Sequence, residues 1–336
     1  MNEAGGGTIE GSKKRKSATG WRRLPALVGL GLALVLVLRL GPAQIAGELL
    51  SVGPGFLLMP AAYGVGQMVR AFGLSVLLAP GQRPGAAASI ASRFAASSLN
   101  DLLPLFGVGG DASRLLWFPA RLRPAVLPAL VLDRILLIVS DGIFVVAVTI
   151  AALASAALPR RLELDAAVAI AAMLAVGSGL LWIARRRGLA VPALKLLALG
   201  GFRSVSGKLG QAREVDAAVR ETLSQRPNRT VANLLIQLAS RLLLAAETWL
   251  GLALLHVEVS ALGALIIAAV PMAVSVTFTF VPSQVGAQEG AMALVFAALH
   301  LHPSTGIALS LLFRIRLIIV LPLGFLFLSR APRHGA

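Results

Sequence analysis

Apolar residues in this chain come in long runs punctuated by short clusters of charge, Pro and Gly. Runs of Leu, Ala, Val and Ile begin at residues 24–38 and recur at about 55–79, 125–157, 164–184, 230–256, 259–281 and 304–328. Most are long enough to cross a hydrocarbon core about 30 Å thick at about 1.5 Å per helical residue. None alternates with the two-residue period of a strand, which excludes an outer-membrane barrel. The pattern predicts an all-α fold, a polytopic membrane helix bundle with about 7–8 transmembrane helices. The first run follows a basic stretch as a signal peptide would, but it ends in Arg39 with no small-x-small site after it, so it reads as a retained span.

Two segments interrupt the pattern with Pro, Gly and polar residues over a length too short for a full span. They are SRFAASSLNDLLPLFGVGGDASRLLWF at residues 92–118 and FVPSQVGAQEGAMALVFAALH at residues 280–300. Pro104 is followed by Val108, Gly109 and Asp111, and Pro282 by Val285, Gly286 and Glu289. Pro removes a backbone donor and Gly permits a sharp reversal, so each site breaks one helix and starts another. Backbone groups freed inside a membrane must be buried in protein or line a wet cavity, and paired breaks point to a midplane binding site. The expectation is two re-entrant helical hairpins, residues 85–118 and 282–300, meeting around a polar chamber. Ordinary cytoplasmic loops with short helices are the competing reading.

Charged side chains inside the spans sharpen the picture. Asp133, Arg134 and Asp141 share one span, Arg241 and Glu247 another, and Arg314 and Arg316 the last. Each costs about 2.5–3.5 kcal/mol at a helix centre even on the lenient insertion scale, so each needs a partner, an inward face or an interface. Arg134 and Asp141 are seven apart and share a helical face, whereas Arg314 and Arg316 are two apart and diverge, one of them toward Glu289 or a lipid phosphate. Asp133, Arg134, Asp141, Arg241 and Glu247 read as structural or coupling charges. Arg93, Asn100, Asp111, Arg114, Gln284, Gln288, Glu289 and Arg314 lie in or beside the broken segments and read as substrate-binding residues. The arginines suit phosphate or another anionic group.

Composition agrees with a lipid environment. Of 336 residues 57% are apolar and 14% charged, against about 25% charged for a soluble domain. A formal charge of +16 raises nucleic acid as a partner, but the basic residues cluster beside apolar spans: six before residue 24, and ten between Arg185 and Arg229. They read as positive-inside signals and contacts for anionic phospholipids at the cytoplasmic face, which excludes nucleic acid as the main partner. Residues 1–23 read as a disordered, basic, cytoplasmic N-terminus and residues 24–328 as one transmembrane domain. Residues 185–229 form a cytoplasmic amphipathic loop whose helix is expected on the inner leaflet, and 329–336 a tail. The charge bias also requires a further crossing or half-crossing at residues 285–300 if the tail is cytoplasmic. There is no Cys, and His300 and His302 lack a third ligand at metal spacing. No cofactor or metal is implied, and no nucleophile with a nearby base is evident.

These motifs resemble the transmembrane region of lysylphosphatidylglycerol synthases, the flippase-like domain family. Asn100 to Pro104 with Gly109-Gly110-Asp111 and Arg114 resembles the family's first motif, and Pro282 to Gly286 with Glu289 and Arg314 its second. VLDRILLIVSDGIF is similar to its acid-Arg span. Asp111 stands where Glu is usual, and Ser283-Gln284 replaces Gly-Gly. The Gln284 and Gln288 pair is similar to the branch associated with hopanoid biosynthesis, and for a hopanoid substrate the resemblance implies polar contacts from Asn100, Gln284 and Gln288. The resemblance implies a multi-pass protein of the bacterial inner (cytoplasmic) membrane that moves lipids between leaflets, with lipid-biosynthesis enzymes as possible partners. Alternatives are a membrane-embedded enzyme on a lipid-linked substrate and a scaffold. The family's synthases carry a soluble transferase domain after the membrane part; with eight residues beyond the last span, aminoacyl transfer is not expected here, and the protein is read as no enzyme.

Overall fold

The computed structural model describes residues 50–102, 108–155, 163–192, 194, 209–277 and 286–332, and residues 38, 43 and 47 besides. The span read at residues 24–38 and the basic N-terminus therefore lie almost wholly outside the described residues, as do Pro104, Pro282 and Gln284. Every regular element described is helical. A 3₁₀ turn at Gly53–Leu57 leads into α1 (Leu58–Leu77), followed by α2 (Ala86–Leu102) and the short α3 (Val108–Ser113), which runs into a 3₁₀ turn at Arg114–Trp117. Next come α4 (Arg123–Ala154), α5 (Glu163–Arg186), α6 (Leu209–Gln225), α7 (Pro227–Leu254), α8 (Ala261–Thr277), α9 (Ala287–Ala298) and α10 (Pro303–Ser329).

The long helices begin where the sequence supplies a start signal. Pro stands at the first or second helical position of α4, α7 and α10, where its missing N–H would have had no intrahelical partner. Three of the helices, Ala120–Ala154 with its leading turn, Pro227–Leu254 and Pro303–Ser329, are long and apolar enough to cross a membrane. Others fall where spans were expected, and the architecture is a helical membrane bundle. Pro128, Pro271 and Pro322 lie inside helices, where each removes one backbone donor from the ladder.

Packing follows the apolar faces. α1 lies along α7, α10 lies between α2 and α9, and α4 packs on α5, α7 and α8. One core joins Met59, Leu252, Ile267, Met292, Phe296 and Leu312 from five helices, and a second joins Phe144, Val148, Ala245, Ala268 and Met272. The α2–α10 contact is unusually close. A Cβ on Gly324 would collide with the Ser98 hydroxyl and the Phe94 carbonyl, so only glycine lets the two backbones approach.

The amphipathic helix of the 185–229 loop departs from expectation. Ala212, Val215 and Val219 of α6 are buried, the two valines against Leu77, Leu132, Ile135, Leu136, Val139 and Ala184. Its apolar stripe is covered by protein and is not presented to a leaflet. Apolar periodicity records that a helix has one greasy face, and protein and lipid satisfy it equally well. Asp216 holds the arrangement by accepting the backbone N–H groups of Leu189, Ala190 and Val191 at 2.8, 2.8 and 3.1 Å.

Candidate functional site

The broken segments make the site because α2 is a polar helix buried in protein. Its sequence, AAASIASRFAASSLNDL, buries Ser89, Ser92, Arg93, Ser97 and Ser98 among small residues. Such side chains allow close helix approach and find local partners. The Ser97 hydroxyl and Tyr63 hydroxyl are 2.7 Å apart, Ser98 donates to the Val320 carbonyl at 3.2 Å, and Arg93 Nε donates to Gln67 Oε1 at 3.0 Å. α3 turns back onto α2, with the Gly110 N–H donating to Asn100 Oδ1 at 2.9 Å.

At the second break α9 starts on Gly286, whose φ of +83° is accessible to glycine without strain. Glu289, in the first turn, accepts the Gly286 N–H on Oε2 at 2.8 Å and the Arg314 Nε–H on Oε1. A carboxylate there is also favoured by the helix dipole. With 12 residues, α9 reaches about 18 Å, well short of a hydrocarbon core.

Both segments contribute to one cavity of about 670 Å³ in the bundle interior. Of the expected substrate-binding residues, Arg93, Asn100, Gln288 and Arg314 line it, together with Arg134, Asp141, Arg241 and Glu247. Asp111 and Glu289 stand behind this lining as ion-pair partners. Asp111 takes Arg93 at 3.3 Å and Arg134 at 3.7 Å, and Glu289 takes Arg314. Arg241 pairs with Asp141 across α4 and α7 at 2.5 Å, while Glu247 receives Arg316, whose guanidinium also lies 4.0 Å from the Tyr63 ring centroid.

Arg114 is placed differently. It is fully buried, away from the cavity, and donates to Asp133 Oδ2 at 3.1 Å. Asp133 Oδ1 accepts Asn233 Nδ2 at 2.8 Å and Gln237 Nε2 at 2.9 Å, so this cluster ties the end of the first hairpin to α4 and α7. Gln284 lies outside the described residues. Among the described residues no group of three His, Asp or Glu side chains is arranged to hold a metal ion.

Sequence reasoning passed over Tyr63, Gln67, Arg70 and Asp101, all of which line the cavity. A signal was present. Tyr63, Gln67 and Arg70 sit at i, i+4 and i+7 in an otherwise apolar span, and Asn233, Gln237, Ser240 and Arg241 make a similar stripe on α7.

The lysylphosphatidylglycerol synthase TM region model matches residues 25–324, nearly the whole chain. The chain belongs to this family. It is a multi-pass membrane protein of lipid metabolism or transport, whose surroundings and contacts are membrane lipids. No curated protein and no solved structure matches it significantly.

Proposed function

We propose that this member of the lysylphosphatidylglycerol synthase TM region family is a lipid translocase. A polar headgroup enters the cavity, its acyl chains stay in the bilayer, and alternating exposure carries it between leaflets without a covalent step. The single observation that carries this reading is the cavity of about 670 Å³, charged on several sides, within an apolar helix bundle. That volume suits a headgroup-sized ligand, and ionisable groups within a membrane bundle are expensive unless they serve a path or a site. The short α9 and the buried α2–α3 hairpin support a re-entrant origin for the chamber, since neither has the form of a lipid-facing span. The basic clusters at the N-terminus and in the 185–229 loop support an inner-membrane orientation with both on the cytoplasmic side.

The test is reconstitution of the full chain into vesicles with leaflet-resolved assays of labelled phospholipid and hopanoid. The wild type is expected to move lipid faster than protein-free vesicles do, and replacing both Asp111 and Glu289 by Ala to abolish the movement. Movement that survives the double replacement overturns the role of the carboxylates. Chemical conversion of the lipid overturns transport in favour of an enzyme.

A further inference from the structure

Among the described residues six arginines line the cavity, and five of them are matched to carboxylates. Arg93 and Arg134 share Asp111, Arg241 has Asp141, Arg314 has Glu289 and Arg316 has Glu247. Asp101 lines the same cavity and, among the described residues, has no ion pair, so six guanidinium groups are set against five carboxylates. The surplus is one positive charge, and Arg70 is the lining arginine without an ion pair among the described residues. Among the described residues no carboxylate lies within 4.0 Å of its guanidinium, and its Nε–H, buried at the cavity wall, has no acceptor. Arg70 as a whole is half-buried, and a guanidinium at a cavity wall without a carboxylate partner suits an oxyanion from outside the protein, because a partly desolvated cation gains from a counter-charge.

The surroundings leave room for one. Gly66, one turn before Arg70 on α1, also lines the cavity, and the atom nearest to a Cβ added there is the Leu243 Cβ at 3.8 Å. The space beside Gly66 is therefore open, and the planar fork of an arginine on the same cavity wall can hold two oxygens of one phosphate. We propose that Arg70 is the receptor for the phosphodiester of a lipid whose headgroup carries a single net negative charge. The inference rests on the translocase reading and names its substrate class. Arg93, Arg114 and Arg314 are less suited to the task because each already has a carboxylate. A zwitterionic headgroup would add an ammonium group to a lining whose remaining charges already balance.

The test uses the purified full chain in neutral detergent. Native mass spectrometry follows retention of phosphatidylglycerol, phosphatidylethanolamine and the soluble diester glycerophosphoglycerol. One phosphatidylglycerol per chain is expected to be retained. R70Q is expected to weaken retention about tenfold or more, and R70K to fall between, since a point charge replaces a fork. G66E places a carboxylate one turn from Arg70 and is expected to displace the lipid while leaving the arginine in place. If R70Q fails to fold, as judged by thermal unfolding, G66E and R70K decide.

Unchanged retention in R70Q and G66E overturns the proposal, as does equal retention of phosphatidylethanolamine by the wild type. Equal binding of the soluble diester overturns the lipid as the source of the anion. Lipid movement in vesicles with R70Q as fast as the wild type would remove Arg70 alone. A wild type that retains phosphatidylglycerol through Arg70 but moves no lipid overturns the translocase reading and leaves the receptor standing.

Discussion

At the scale of single residues, the protein confines its charges by pairing them across helices. Glu247 is fully buried and reaches Arg316 on another helix, whose guanidinium also lies against Tyr63. Removing one member of such a pair leaves the other uncompensated, which costs about 3–5 kcal/mol, whereas removing both is often near neutral. Glu247→Ala should therefore lower the unfolding midpoint in detergent sharply, and Glu247→Ala with Arg316→Met should recover most of the loss. A double-mutant cycle by thermal or denaturant unfolding checks this. Two-residue spacing already implied that Arg314 and Arg316 would diverge, and they do, to Glu289 and Glu247.

At the scale of elements, two contacts determine how the hairpin and the loop helix are held. Gly324 sits where α10 touches the backbone of α2, so Gly324→Leu must push the two helices apart. Overpacking of this kind costs about 1–3 kcal/mol, and the variant is expected to show a lower melting temperature together with weakened retention of cavity ligands. Asp216 accepts three backbone N–H groups at residues 189–191. Asp216→Ala leaves them without that acceptor, with an expected loss of about 0.5–2 kcal/mol, comparable to loss of a helix cap. Hydrogen exchange should accelerate at Leu189, Ala190 and Val191 and in α6 while the α7 core keeps its protection. The amphipathic pattern of α6 was legible in the sequence, but it could not say whether protein or lipid covers the apolar stripe.

At the scale of the whole molecule, the cavity is the feature that joins segments far apart in the chain. Ser97 and Ser240 line it from α2 and α7, whereas Ser310 is buried outside it. The chain has no natural cysteine, so single Cys replacements report directly. Ser97→Cys and Ser240→Cys are expected to react with a small hydrophilic thiol reagent about tenfold or more faster than Ser310→Cys, in proportion to water access. Equal rates would mean that water does not enter the chamber.

The sequence by itself determined the helical class, the approximate position of the elements and the two places where helices break. Those are local properties: a helix satisfies its own backbone, an apolar run records its environment, and Pro and Gly act on their immediate neighbours. It also carried the polar stripes of α1 and α7, readable from spacing alone. Tertiary structure decided which arginine meets which carboxylate. Arg241 meets Asp141, a hundred residues earlier, while Glu247 on its own helix turns to Arg316. It also set Arg114 apart with Asp133, and left Arg70 lining the cavity without a carboxylate partner among the described residues. These outcomes depend on the rotation and depth of each helix against its neighbours. Many small packing contacts distributed over the bundle set both, and no short stretch of chain encodes them.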